Sequence, residues 1–291
     1  MDVSILITTK NYTIIENQFQ NFKNSSLDFE IIVVGPSNYK SNNKYFKFFE
    51  SYCKPAQCME IAIQKSIGNH IMIWADDIFF TNQHKKNLDI LINYAKKDKR
   101  SLISLRLSNK INKNLESYKY HSEIPGCPLL PIAAPINSKD LKKIKTIDKE
   151  FIATLFDIDI YMRLISCGYK TKFINLHAKE KSYSNYSLNK DFNNIDRKYL
   201  DKLWTKKSNN KITTVFGDQI AKSIRKKRLK KVLQYNHEKL KIPQGQSGRW
   251  IFNNKIYYKY VLRLYFLFFK IFIPTYKIRS YIYKLYRIYL K

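Results

Sequence analysis

Short apolar runs, each closed by a polar turn and followed by a stretch of mixed polarity, recur through the first 180 residues of the chain. Val3 to Thr8 is a β-branched run that stops at Thr9, Lys10 and Asn11, and the mixed stretch that follows to about Lys23 predicts strand, turn and helix. Glu30-Ile31-Ile32-Val33-Val34 is apolar without alternation and is stopped by Gly35-Pro36-Ser37, the pattern of a central parallel strand covered on both faces. Pro55 to Gly68 has proline near its start, Ile61, Ile63 and Ile67 within it and glycine at its end, so it predicts a helix. It feeds a strand at Ile71-Met72-Ile73-Trp74, and a further helix, roughly Lys85 to Lys97, feeds Leu102-Ile103-Ser104-Leu105. Farther on, Ile158, Met162 and Ile165 share one face of a helix that begins near Asp157 and ends at Gly168, before a strand-like run from Lys172 to Leu176. Strands alternating with helices are the grammar of an α/β protein built on an open, mostly parallel sheet.

Composition sharpens this. At 44% hydrophobic and 26% charged, with 18 Phe and 22 Tyr, the 291 residues can bury a core and are not those of a disordered chain. Seven Gly and eight Pro exclude collagen-like and proline-rich architectures, and no fixed-period repeat suggests a solenoid. The net charge of +30 is unevenly spread: residues 206–291 hold 22 Lys or Arg against Asp218 and Glu238, or +20, and residues 1–205 hold the other +10. This shift predicts an α/β body over 1–205 and a basic, mainly helical extension over 206–291. Lys222 to Lys231 has seven basic residues in ten. Lys255, Lys259, Arg263 and Lys270 fall within about 80° on a helix, with Tyr257, Val261, Leu264, Phe268 and Phe272 opposite them. Beyond Pro274, Lys277, Lys284, Arg287 and Lys291 run alongside Ile278, Ile282, Leu285 and Tyr289. Such stripes suit an in-plane amphipathic helix on an anionic membrane surface, and they also suit aromatics packed on the body. Nucleic acid is the rival partner for so basic a tail, but no RRM-like or zinc-finger module occurs. Cys53, Cys58, Cys127 and Cys167 lack zinc-ligand spacing and predict reduced thiols, and the amino terminus lacks the pattern of a signal peptide. Together these predict a cytoplasmic protein held peripherally at the inner face of the membrane.

In open parallel sheets ligands sit beyond the carboxyl ends of the strands. After Ile71 to Trp74 come Ala75, Asp76 and Asp77, and adjacent carboxylates there suit Mg²⁺ or Mn²⁺ bridging protein and diphosphate. The same pair is what a solvated Asp-rich turn presents. Asp157, at the start of its helix, has capping as its structural role, and His177, just after a strand, is of a kind more often structural than a ligand.

These residues in this order resemble inverting nucleotide-sugar glycosyltransferases of the GT-A fold, glycosyltransferase family 2. The family's opening strand and Thr-x-Asn turn is matched by Ser4-Ile5-Leu6-Ile7-Thr8-Thr9-Lys10-Asn11, and its second strand by Glu30 to Val34. Its metal motif is matched by Asn69-His70-Ile71-Met72-Ile73-Trp74-Ala75-Asp76-Asp77, and its catalytic region by Asp148-Lys149-Glu150-Phe151 followed by Asp157-Ile158-Asp159 and Arg163. The sequence departs from the family at Gly35-Pro36-Ser37, where Asp is usual, at Ala75 in the Asp-x-Asp position, and at Phe156 in place of Glu. The resemblance covers residues 1 to about 180 and implies a Rossmann-like GT-A domain. It implies donor contacts at Thr8, Asn11 and Asp76, a Mn²⁺ or Mg²⁺ ion on Asp77 and His177, and Asp157 as the general base, with Asp159 and Arg163 as secondary candidates. It further implies a nucleotide-sugar donor and a surface-glycan or lipid-linked glycan acceptor. The abundant Lys, Asn and Ile are those of AT-rich bacterial coding. The alternatives are a noncatalytic glycan-binding scaffold of the same fold and a nucleic-acid-binding protein acting through the tail.

Overall fold

A computed structural model of the chain describes residues 1–9, 12, 15–36, 39–108, 118–119, 128–181, 190–208, 211–214, 226 and 228–235. From the amino terminus run β1 (Val3–Thr8), α1 (Ile15–Gln18), β2 (Phe29–Gly35), β3 (Phe46–Glu50), α2 (Pro55–Lys65), β4 (His70–Ile73), β5 (Ile78–Phe80), α3 (Asn87–Lys97) and β6 (Ser101–Ser108). There follow β7 (Tyr118–Lys119), β8 (Leu129–Leu130), β9 (Ile136–Asn137), α4 (Ser138–Lys143), α5 (Phe156–Ser166), β10 (Lys170–Glu180), α6 (Lys190–Trp204), β11 (Thr205–Ser208) and β12 (Lys211–Thr214). The central sheet has the order β3-β2-β1-β4-β9, parallel throughout except for β9, which runs antiparallel to β4. A second sheet, β5-β10-β6, pairs β10 parallel to β6 and antiparallel to β5. The chain therefore adopts the expected α/β architecture, a central, mostly parallel sheet flanked by helices.

The unbroken apolar runs are explained by the two faces of this sheet. All seven residues of β2 are buried, and their side chains alternate between separate clusters. Leu6, Ile32, Val34 and Ile71 pack with Met59, Ala62 and Ile63 of α2 and with the core face of α5. Ile5, Ile7, Ile31, Val33 and Met72 pack with Leu88, Leu91 and Ile92 of α3. Each such side chain removed from water contributes about 1.5–3 kcal/mol, which is why central strands carry no polar alternation. Gly68 is required where α2 returns to β4, because a Cβ there would lie 2.5 Å from the Ser4 amide nitrogen.

Several elements differ from the pattern-based expectation. The first helix is one turn plus a 3-10 turn at Phe19–Asn21, and α2 stops at Lys65, before Gly68. β10 is longer than the run from Lys172 to Leu176: it continues to Glu180 because Ala178, Lys179 and Glu180 pair with β5. The expected boundary at 205/206 does not coincide with the edge of the packed body. Leu229 and Tyr235 join the α2-side core cluster, and Arg228 is buried within the body. Among the described residues no helix is long and apolar enough to cross a membrane. The amphipathic stretches from 255 to 291 lie outside the described residues, as does Cys127.

Candidate functional site

β1 and β4 are adjacent and parallel, so their carboxyl ends bring Thr9 and Asp76 together, and Thr9 Oγ1 donates to Asp76 Oδ2 at 2.6 Å. The turn from β4 to β5 is braced from below by Gln18 of α1. Its Nε2 donates to the Asp76 carbonyl at 2.6 Å, and its Oε1 accepts from Trp74 Nε1 at 3.0 Å. Trp74 Nε1 also reaches the Ile78 carbonyl at 3.1 Å, closing the turn on itself. Asp76 and Asp77 thus sit at a strand end in a turn whose backbone is held by buried groups. Thr8 is the last residue of β1 and is half-buried, whereas Asn11 lies outside the described residues.

Asp77 is the electrostatic centre of this end of the sheet. Burial, then the neighbouring charges of Asp76 and Glu180, push its carboxyl up to about 6. Glu180 arrives there because β10 alternates: Ile174, Leu176 and Ala178 point to the core, Glu180 continues their row, and the Lys181 amide donates to the Asp77 carbonyl at 2.8 Å. Sequence reasoning missed Glu180; the available signal was an acidic residue in the inward register of a strand. The same alternation turns His177 outward. It is exposed, its Nε2 lies 2.9 Å from Asn175 Oδ1, and it stands on the opposite face of β10 from Glu180. His177 is therefore not brought to Asp77. Among the described residues no three His, Cys, Asp or Glu side chains form a group able to hold a metal ion. Asp77 and Glu180 alone fit the other common arrangement, one or two protein carboxylates with the remaining ligands from water and substrate phosphates.

Asp157 lies in the first turn of α5, with the Ile158 amide donating to its carboxylate, and burial raises its carboxyl above the usual range. The approach to it is fixed by two devices. Leu155, just before α5, holds a left-handed backbone (φ 61°), a conformation costly for a branched side chain and common where a segment is fixed for a purpose. The amides of Ile152, Ala153 and Thr154 donate to the carboxylate of Asp196 on α6 at 2.9, 2.8 and 2.8 Å. Leu155 and Ile73 pack against the same core cluster, so the segments leading to Asp157 and to Asp76 rest on common ground.

Two residues beyond Asp157 the helix has turned by about 200°, and the chemistry changes with it. Asp159 is fully buried and accepts from Trp204 Nε1 at 2.8 Å, from Arg163 Nε at 2.9 Å and from Arg228 Nη2 at 2.9 and 3.0 Å. Arg163 is also fully buried and donates to the carbonyls of Ile144 and Thr146. Asp159 and Arg163, read from sequence as secondary site candidates, are instead an internal brace closed to any substrate. Arg228 completes it by donating to Asp148 Oδ2 at 2.9 Å, where the Tyr199 hydroxyl also donates at 2.8 Å. Asp196 and Arg228 were not singled out from sequence, since their partners lie tens of residues away.

The sequence matches no protein-family model and no curated protein. Among solved structures the chain is similar to S. aureus TarS 1-349, at 12% identity and a TM-score of 0.46 over 69% of this chain and 71% of that one. It is similar to the same TarS 1-349 in complex with UDP, at 11% identity and a TM-score of 0.46 with the same coverage. In another crystal structure of S. aureus TarS, at 12% identity and a TM-score of 0.49, 70% of this chain spans 40% of that one.

Proposed function

We propose that this chain is an inverting glycosyltransferase that moves a sugar from a nucleotide-sugar donor to a glycan or lipid-linked glycan acceptor. The observation that carries the reading is the strand-end cluster: Asp76 fixed by Thr9, and Asp77 destabilised as a carboxylate by burial and then by Asp76 and Glu180, a site that gains from a cation and a bound diphosphate. A Mn²⁺ or Mg²⁺ ion held by Asp77 and Glu180 would neutralise charge on the departing nucleoside diphosphate. Asp76, with Thr8 at the end of β1, contacts the donor. Asp157 takes the proton of the acceptor hydroxyl. Its raised carboxyl makes it a stronger base than an exposed aspartate, and the Asp196 and Leu155 devices fix its approach. The hydroxyl oxygen then bonds to the anomeric carbon as the bond to the diphosphate breaks on the opposite face, which inverts the configuration. The +20 carried by residues 206–291 holds the body at an anionic membrane surface, where lipid-linked acceptors are presented.

Incubating the protein with a panel of nucleotide sugars, with and without Mn²⁺, and scoring release of nucleoside diphosphate tests this reading. Cation-dependent release that Asp77→Asn abolishes is expected. Glycan binding without release from any donor would assign the fold to a noncatalytic role.

A further inference from the structure

We propose that the opposite pole of the molecule, at the amino ends of β4 and β6, carries a second binding site, one for a single phosphate ester group. A cavity of about 250 Å³ opens there. His70, the first residue of β4, lines it, whereas Asp77 lies beyond the other end of that strand, in the turn to β5. This is not the proposed active site.

The lining has the chemistry of an anion site. Lys96, Lys99, Lys139 and Lys143 converge on the cavity from α3, the turn after it and α4. Two of these cations are already answered: Lys96 pairs with Asp2 at 2.9 Å, and Lys143 with Asp140 at 3.2 Å. Asp140 is engaged again by the Tyr169 hydroxyl at 2.5 Å, so it is not available to the other lysines on equal terms. Among the described residues Lys99 and Lys139 have no ion pair, which leaves two uncompensated positive charges at the mouth, the number a phosphate monoester dianion carries. The floor adds neutral polar groups. His70 is 7% exposed, and its Nδ1 is buried without a hydrogen-bond partner. Asn137 spends its Oδ1 on the Lys139 amide at 3.0 Å, which leaves its side-chain NH₂ as a donor. A buried imidazole nitrogen without a partner costs free energy, and polar groups left so are recurrent marks of a place that something occupies.

Size sets the class of ligand. The cavity falls below the range of about 300–1,000 Å³ that holds a drug-sized or nucleotide ligand, and it accommodates a phosphate with a small organic group. A soluble sugar or glycerol phosphate and the headgroup of an anionic lipid share this chemistry.

Calorimetric titration of the full chain with glycerol 3-phosphate is the test, with wild type compared against Lys99→Glu/Lys139→Glu and against the remote exposed control Lys40→Glu. In parallel, each protein is sedimented with phosphatidylcholine vesicles containing phosphatidic acid. All three lysines are exposed, so the variants should fold, which circular dichroism would check. The expected result is at least a tenfold loss of affinity in the double variant and none in the control, with the His70 imidazole resonance moving on titration only in wild type and control. Loss confined to glycerol 3-phosphate identifies a soluble ester, and loss that extends to the vesicles, or is confined to them, identifies a headgroup. Equal binding of both probes by wild type and double variant, or no binding by wild type, overturns the proposal.

Discussion

Asp157 and Asp159 are separated by one residue and by their whole surroundings. Asp157→Asn should lower turnover by a factor of about 10² to 10⁴ with donor affinity and stability kept, the pattern for loss of a general base. Asp159→Asn should instead destabilise the fold by about 3–5 kcal/mol, because it removes the main counter-charge of buried Arg163 and half that of Arg228. Turnover numbers and urea midpoints of the two variants separate these outcomes. Asp77 makes a third case. Its carboxyl stands at about 6 in the folded chain against an ordinary 3.8, so the folded state binds more protons than the unfolded between those values. Stability therefore falls as pH rises from about 4 to 6 and carries the full cost above that. Two units are worth up to about 3 kcal/mol, reduced to about 1–2 by partial exposure. In chelator at pH 7, Asp77→Asn should be more stable than wild type by that amount, and the gain should vanish at pH 4; urea titrations at both pH values check it. The places of Asp76 and Asp77 after a strand and of Asp157 at a helix start were legible from sequence because each interrupts or ends an apolar run. Glu180 was not, since its significance depends on strand pairing, and Asp159 was misread because two residues of helix look adjacent in sequence and are opposed in space.

At the scale of elements, the strands with both faces covered were the most legible. β1, β2 and β4 announce themselves by unbroken apolar runs, whereas β3 reads Phe-Lys-Phe-Phe-Glu, an edge strand with one exposed lysine and no clean period. α6 is mostly polar and buries little besides Phe192, Leu200 and Trp204. Besides the bonds of Tyr199 and Trp204 to the brace, it contributes through Asp196, whose carboxyl is raised by burial although three amides pull it down. That helix therefore fixes the loop before α5 through its acceptor, and the effect is separable from packing. Asp196→Ala should leave the three amides of Ile152, Ala153 and Thr154 without a protein acceptor, at a cost of about 1–3 kcal/mol. Hydrogen exchange at these amides should accelerate at least tenfold while the strands of the central sheet keep their protection relative to one another. Unchanged exchange at 152–154 would remove Asp196 from this role.

For the whole molecule, the charge map and the packing map do not share a border. The basic run from Lys222 to Lys231 looks like part of a solvated tail, yet Arg228 is drawn into the body, the Lys149 amide donates to the Leu233 carbonyl at 2.9 Å, and Tyr235 packs in the core. Truncation after Trp204 should therefore leave Asp148 and Asp159 without their shared cation and lower the unfolding midpoint sharply. Truncation after residue 240 should keep the midpoint while releasing the protein from anionic liposomes. On the proposed membrane-surface reading, salt should release the intact chain only in part, since screening weakens the Lys and Arg attraction but not the apolar contribution expected of Phe268 and Phe272. Liposome sedimentation with thermal melts of both truncations decides this. The reach of Arg228 has a further consequence, for the timing of synthesis. Its two carboxylate partners leave the ribosome 80 and 69 residues before it does. At roughly 5–20 residues per second, the nascent body waits on the order of 4–16 s for the cation that Asp148 and Asp159 share. Closure of this brace is thus set by the clock of translation rather than by the sheet, however quickly the sheet itself can form.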